Sequence, residues 1–130
     1  MPDINYLAVA VAAIACFVIS AAYYIGFGKQ LAALHPAYAG EASMAPWQIG
    51  VELVRNIVLA LVVAGIAAAI GITNVGSGVL LALALFVGFP LVLWSGAVMH
   101  EKVPPKLAAI HAGDWLLKLL VIAVIVSLWR

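Results

Sequence analysis

Four long apolar runs dominate the sequence and constrain its fold more than any other feature. They cover about residues 4–27, 47–72, 78–99 and 106–129, and each is long enough to cross the roughly 30 Å hydrocarbon core of a bilayer as one α-helix. Hydrophobic residues make up 68% of the chain and charged residues only 8%, far from the composition of soluble domains. The sequence therefore predicts an all-α integral membrane four-helix bundle, formed by a single transmembrane domain over residues 1–130.

Composition also limits the partners that the chain can have. The net charge of +1 excludes the clustered basic surface that nucleic-acid binding needs. We expect contact with membrane lipid, with a small solute or ion, and with further copies of the chain. A homo-oligomer is expected because four helices rich in alanine and glycine leave little protein to enclose a polar interior. No cofactor is expected, and Cys16 is interpreted as a small buried hydrophobe.

Positive charges predict the orientation of the chain. Lys29, Lys102 and Lys106 lie in the connections after the first and third runs, and Arg55 lies near the same side. The opposite side carries only Arg130. The positive-inside rule places the lysine-bearing connections in the cytoplasm. This predicts a multi-pass protein of the inner (plasma) membrane with both termini outside.

The connections and helix ends carry further local signals. Residues 31–34 could form a short interfacial helix that stops before His35, because a residue that precedes proline is biased away from the α region. His35 is therefore interpreted as a solvated loop residue. Tyr23 and Tyr24, near the end of the first run, are interpreted as part of an interfacial aromatic belt. Pro90 predicts a kink within the third run.

The fourth run contains an unusual polar stripe. At about 3.6 residues per turn, His111, Asp114 and Lys118 lie near one another on one side of a helix. Lys118 is about 20 Å from Pro105 along the helix, which is close to the middle of the hydrocarbon layer. An unpaired lysine at that depth costs roughly 2.5–3.5 kcal/mol on insertion scales. We therefore expect Lys118 to face the bundle interior and to pair with an anion.

A second polar face lies on the second run. Glu52, Arg55 and Asn56 are spaced at i, i+3 and i+4, so they share one side of a helix that enters the membrane from the same side as the stripe. We predict that the carboxylates of the two faces neutralise the cations, and that the histidine and the asparagine complete the hydrogen bonding. The predicted ligand or ion pathway is an intramembrane charge network made of His111, Asp114, Lys118, Glu52, Arg55 and Asn56.

Several functions are compatible with this network. Intramembrane ionisable residues build proton relays and ion paths, so a small transport or ion-handling protein is the leading hypothesis. The alternative is a non-catalytic scaffold or accessory subunit whose buried charges only specify helix packing.

Catalytic and metal-binding functions are less favoured. A metal site at His100, Glu101, His111 and Asp114 is disfavoured because His-x-x-Asp spacing is common by chance, so no metal ligand is expected. The sequence contains no nucleophile elbow, no phosphate-binding glycine loop and no His-Glu-x-x-His motif. It therefore favours a protein that is not an enzyme, although it does not decide the question. Catalysis would have to use Asp114 and His111 as acid and base on a membrane-soluble substrate.

Segments at both ends of the chain carry a family resemblance. They are Asn5-Tyr6-Leu7-Ala8-Val9, then Tyr24-Ile25-Gly26-Phe27-Gly28-Lys29, and the stretch from His100-Glu101-Lys102 through His111-Ala112-Gly113-Asp114-Trp115-Leu116. This pattern, with a final helix that ends in Trp129, resembles the bacterial membrane family called domain of unknown function 1761. The first helix departs from that family's more usual Pro-Leu-Phe-Gly ending. The resemblance implies a four-helix membrane protein and brings no activity with it.

Overall fold

The computed structural model describes residues 3–34 and 45–129, and most of these residues are helical. The helices are α1 (Tyr6–Gly26), α2 (Gly28–Leu34), α3 (Pro46–Ala69), α4 (Val75–Gly88), α5 (Pro90–His100) and α6 (Pro105–Leu128). No strand occurs in these two ranges, which confirms the all-α prediction. Four helical stretches are long and apolar enough to cross a membrane: α1, α3, α4 together with α5, and α6. The fold is that of a multi-pass membrane protein.

Capping residues and prolines set the helix ends. The side chains of Asn5 and Asn74 accept backbone N–H groups at the starts of α1 and α4, at 3.1 and 2.8 Å. Proline is the first residue of α3 and of α6, where a missing N–H interrupts no helical hydrogen bond. At the end of α3, Gly71 has a φ of 76°, which lets the Ile72 N–H donate to the Ala67 carbonyl at 2.9 Å. This reversal ends the helix.

The third span is broken at Pro90. The helix α4 ends at Gly88 and α5 begins at Pro90, and between them Phe89 has φ −122° and ψ −76°. Proline has no N–H to donate to the carbonyl four residues earlier, that of Phe86, and its ring crowds that carbonyl. The predicted kink is confirmed.

Helix α6 lies at the centre of the bundle. It packs against α1, α3, α4 and α5. In its most apolar stretch 44% of the residues are buried, whereas the corresponding figure for the third span is 17%. Small buried residues of α1 and α3, including Ala12, Cys16 and Ala60, join Ile122 and Val126 of α6 in the main core. The bundle is therefore arranged around its last helix.

Helices α3 and α4 hardly touch each other, although only a short turn joins them. The short turn cluster at residues 73–78 predicts that the second and third spans run antiparallel and pack side by side, and the side-by-side packing is wrong. The buried side of α3 carries Ala60, Ala64 and Ala67, which pack in the core shared with α1 and α6. Helix α4 packs its own small residues, Gly78 and Ala82, against α6, and Ala82 joins the same core from that side.

Helices α4 and α6 approach each other closely at Gly78. A Cβ atom at this position would collide with the Ser127 hydroxyl and lie 3.1 Å from the backbone carbonyl oxygen of Ala123. Glycine therefore lets the two backbones come together at this level.

The short helix after α1 is also present. It covers Gly28–Leu34, so it begins three residues before the predicted segment. Its Leu31 is 2% exposed and packs with Leu107 and Ile110 at the start of α6. The end of α1 and the beginning of α6 therefore lie at the same end of the bundle. His35, predicted to be a solvated loop residue, lies outside the described residues.

Candidate functional site

Lys118 lies between two carboxylates on different helices. Its Nζ atom is 3.1 Å from Asp114 Oδ2, one turn earlier on α6, and 3.4 Å from Glu52 Oε1 on α3. The side chains of Lys118 and Asp114 are only 7% and 4% exposed. The ammonium group is therefore compensated within the bundle, as its burial requires. Together with Arg55, these residues are called the Lys118 cluster below.

Glu52 connects the buried part of the Lys118 cluster to its surface. One of its oxygens faces Lys118, and the other accepts a hydrogen bond from Arg55 Nη1 at 2.9 Å. The side chain of Arg55 is 58% exposed and that of Glu52 is 22% exposed. Exposure thus falls stepwise from Arg55 through Glu52 to the Lys118–Asp114 pair, and the ion pairs lead from the outside of the bundle to its interior.

Helix α1 extends this polar contact beyond the predicted residues. The Ser20 hydroxyl donates a hydrogen bond to Asp114 Oδ1 at 2.6 Å, and the Cys16 thiol lies 3.6 Å from the Lys118 carbonyl oxygen. Both side chains are buried. The sequence contains a signal for this contact, because Cys16, Ser20 and Tyr23 fall at helical spacing on one side of α1. That face was not connected to Asp114 in the sequence analysis.

His111 belongs to an aromatic group beside the Lys118 cluster. Its Nδ1 atom is 2.7 Å from the Tyr24 hydroxyl. The Trp94 ring stacks on the imidazole at a centroid distance of 4.8 Å and an interplanar angle of 12°. The predicted site is therefore divided into two neighbouring parts, with Asp114 and His111 one turn apart on α6. Trp94, on α5, was not among the predicted site residues.

Both tyrosines of α1 point toward α6. The Tyr23 hydroxyl donates to the Ile110 carbonyl at 2.6 Å, and Tyr24 contacts His111. Both side chains are half-buried. Gly113 permits this arrangement, because a Cβ there would collide with the Tyr23 hydroxyl. The interpretation of the pair as part of an interfacial belt stays a prediction, and within the bundle the two hydroxyls make helix–helix contacts.

Asn56 is buried without completing the network. Its residue exposure is 1%, and its Nδ2 group finds no hydrogen-bond acceptor in the described part of the chain. The expectation that this amide donates within the charge network is therefore wrong. Asn56 instead lines a mostly apolar groove of about 370 Å³, together with Val54, Arg55, Val58, Leu59, Val62, Trp115 and Lys118. This space is called the α3–α6 groove below.

The metal-site alternative does not assemble. Across residues 3–34 and 45–129, no group of three His, Cys, Asp or Glu side chains is placed to hold a metal ion. His100 and Glu101 lie exposed at the end of α5, whereas Asp114 is committed to Lys118 and Ser20. The site consists of paired charged groups and hydroxyl groups, and these groups can exchange hydrogen-bond partners.

Comparison with known proteins identifies a family for this chain. A family model described as protein of unknown function, DUF1761, matches residues 7–127. No curated protein and no solved structure matches the chain.

Proposed function

The chain belongs to the DUF1761 family of unknown function, and from its own contacts we propose that it is a small transport or ion-handling membrane protein. The observation that carries this proposal is the gradient of exposure in the Lys118 cluster, from Arg55 at 58% to Asp114 at 4%. Buried ionisable groups in membrane spans are expensive and typically mark ion paths or proton relays. The proposed pathway consists of Arg55, Glu52, Lys118, Asp114 and the neighbouring Asn56 and His111.

The contacts suggest how a proton or small ion would enter. Glu52 is shared by an exposed cation, Arg55, and a buried one, Lys118. An arriving cation or proton at Glu52 would weaken both pairs and leave Lys118 to its second carboxylate, Asp114. The Ser20 hydroxyl then provides the next hydrogen-bond partner, at 2.6 Å from Asp114. The cluster thus provides a stepwise route from one surface into the bundle.

Flux measurements in liposomes test this proposal. Proton flux through the reconstituted protein is expected to depend on pH, and to fall to the level of protein-free liposomes in Asp114→Asn or Lys118→Leu. The matched control is Glu101→Gln, which neutralises an exposed carboxylate outside the cluster and should keep the flux. Circular dichroism must show that the variants remain helical. Undiminished flux in a folded Asp114→Asn protein would refute the proposal.

A scaffold or accessory role is the second candidate. It is supported by the charge balance of the Lys118 cluster, in which two cations are matched by two carboxylates. Buried polar groups can specify helix register and partner choice without any chemistry. A folded Asp114→Asn protein with unchanged flux would favour this role over ion handling.

The proposed location is the inner (plasma) membrane, with both termini outside. The packing of Leu31 on Leu107 and Ile110 supports this orientation, because it brings Lys29 and Lys106 to one end of the bundle, as the positive-inside rule requires. In a Cys16→Ala background, a cysteine introduced by Lys106→Cys should resist a membrane-impermeant maleimide in intact cells. Labelling of that cysteine from outside would contradict the orientation.

The homo-oligomer is also a proposal. The third span supports it, because only 17% of the most apolar stretch of that span is buried within one chain. A second copy could cover this surface. A solution mass of one chain per detergent particle, under conditions that preserve helicity, would contradict it.

A further inference from the structure

The first half of α3 makes little contact with the rest of the bundle. Residues 46–51 are exposed, and the first buried residue of this helix is Asn56. From Ala60 onward, the same face packs in the main core. In the described part of the chain, the only hydrogen bond or ion pair between α3 and another helix is that of Glu52 with Lys118, at 3.4 Å. The beginning of α3 therefore depends on one polar contact.

The charges of the Lys118 cluster are balanced on each helix separately. On α3, Glu52 pairs with Arg55 at 2.9 Å, and on α6, Asp114 pairs with Lys118 at 3.1 Å. Breaking a buried ion pair is costly because it leaves an isolated charge. Separation of α3 from α6 would isolate no charge, since each cation keeps a carboxylate on its own helix. The contact between the two helices can therefore open at low cost.

Two features beside this contact also favour opening. The α3–α6 groove leaves a space of about 370 Å³, so the two helices are not closely packed at this level. Asn56 is 1% exposed, and its Nδ2 group has no acceptor within residues 3–34 and 45–129. A buried donor without a partner destabilises the closed arrangement. Water that enters when the helices separate can accept this hydrogen bond.

We propose that residues 46–55 form a gate that the Glu52–Lys118 contact holds closed. This segment is called the α3 gate below. When it opens, it moves away from α6, while α3 from Ala60 onward stays in the core. Lys118 and Asp114 then become accessible to water from that end of the bundle.

Helix α6 stays in place because α1 holds it at the same level. The Ser20 hydroxyl donates to Asp114, and the Tyr23 hydroxyl donates to the Ile110 carbonyl, both at 2.6 Å. These contacts do not involve α3. Opening of the α3 gate therefore leaves the contact between α1 and α6 intact, and Asp114 keeps its position.

Loss of the charge on Glu52 opens the α3 gate. The charged groups that face Glu52 are Arg55 on its own helix and Lys118 on α6. Helix α1, which also packs against α3, contains no Asp, Glu, Lys, Arg or His. A neutral Glu52 no longer attracts Lys118, whereas Asp114 still does. The gate rests on the proposed ion handling for its purpose, because an ion or proton that reaches Glu52 would open the way to Asp114.

A buried cysteine reports whether the α3 gate opens. In a Cys16→Ala background, Asn56→Cys places a thiol under the gate. Ala60→Cys is the matched control, because Ala60 is 0% exposed and lies one turn farther along the same face. Each protein reacts with N-ethylmaleimide in dodecyl maltoside at one pH, and mass spectrometry measures the labelling rate. A buried thiol reacts only through local opening of the structure.

Charge variants make the test specific. Glu52→Gln keeps the size of the side chain and removes its charge. It should speed labelling of the Asn56→Cys protein about tenfold, the equivalent of about 1.4 kcal/mol, and leave the rate for Ala60→Cys unchanged. Arg55→Gln removes a charge but keeps the contact between the helices, so it should not raise the rate. Glu101→Gln, at an exposed position outside the cluster, should not raise it either.

Tryptophan fluorescence gives a second measurement without a substitution at Asn56. Trp115 lines the α3–α6 groove, and Lys118 Nζ lies 5.5 Å from its ring centroid. In a protein that keeps only this tryptophan, with the others changed to phenylalanine, Glu52→Gln should increase quenching of Trp115 by the water-soluble quencher acrylamide.

Two results would overturn the α3 gate. One is unchanged labelling and quenching in a Glu52→Gln protein that is folded by circular dichroism. The other is an equal rise in labelling of Ala60→Cys, which would show that the whole bundle loosens. The gate and the ion pathway can fail separately. Labelling that responds to Glu52→Gln without any proton flux supports the gate and refutes ion handling, whereas flux with unresponsive labelling overturns the gate alone.

Discussion

Replacing Lys118 with methionine is expected to lower the free energy of unfolding by about 3–5 kcal/mol, because it leaves an uncompensated charge inside the bundle. Asp114 is 4% exposed, and its contact from Ser20 provides a hydrogen bond but no positive charge. Methionine retains much of the lysine's apolar stem, so lost packing is a minor part of the effect. Denaturation with sodium dodecyl sulphate in mixed micelles, followed by circular dichroism, measures the difference.

Two further variants isolate the charge effect. Lys118→Met combined with Asp114→Leu removes both members of the buried pair and should be close to neutral or stabilising, because no charge is left alone. Arg55→Met removes a cation that is 58% exposed and should cost less than about 1 kcal/mol. If the double variant is as unstable as Lys118→Met, the ion pair is not the cause of the loss.

Gly78→Ala is expected to destabilise the bundle by about 1–3 kcal/mol, although alanine is the better helix former. The new methyl group would meet the Ser127 hydroxyl and would lie 3.1 Å from the Ala123 carbonyl oxygen. A side chain can rotate away, but this carbonyl belongs to the backbone of the central helix. Helix α4 would therefore have to move outward along its contact with α6. Thermal unfolding in micelles measures the loss.

Gly96→Ala is the matched control for this prediction. Gly96 lies within α5, and a Cβ there would have no heavy atom within 4 Å beyond its own helix and neighbours. This substitution should be neutral or stabilising, by up to about 1 kcal/mol. Adding Ser127→Ala to Gly78→Ala should recover only part of the loss, since the carbonyl remains. Equal stability of the Gly78→Ala and Gly96→Ala proteins would show that α4 and α6 do not approach closely.

Much of the fold follows from the sequence because lipid leaves few choices for an apolar chain. A backbone in hydrocarbon must satisfy its own hydrogen bonds, so four long apolar runs become helices. Pro90 breaks the third run for the same reason that proline breaks any helix interior. The arrangement of the helices does not follow as easily. A short turn brings only the ends of α3 and α4 together, and the small residues farther along each helix decide which neighbour it packs against.

The candidate site, like the fold, is predicted only in part from the sequence. The high cost of an unpaired Lys118 in lipid directs attention to Asp114 and Glu52, and the structure has both carboxylates within 3.4 Å of its ammonium group. The contribution of Ser20 is harder to predict because the stripe of Cys16, Ser20 and Tyr23 on α1 is uncharged and only weakly polar, so its presence on one side of the helix does not require a polar partner. Asn56 was assigned to the network by spacing alone. Spacing places a residue on a helix face, but it does not show whether an acceptor lies within reach.

The central position of α6 has a consequence for biosynthesis. Of the four spans, α6 leaves the ribosome last, yet it is the helix against which the others pack. Until it enters the bilayer, Glu52 lacks the lysine that faces it in the finished bundle, and the small residues of α1 and α4 lack their main partner. The first three spans are thus an incomplete intermediate. Arrival of the final helix both closes the core and supplies the missing charge, so assembly and neutralisation occur in one step.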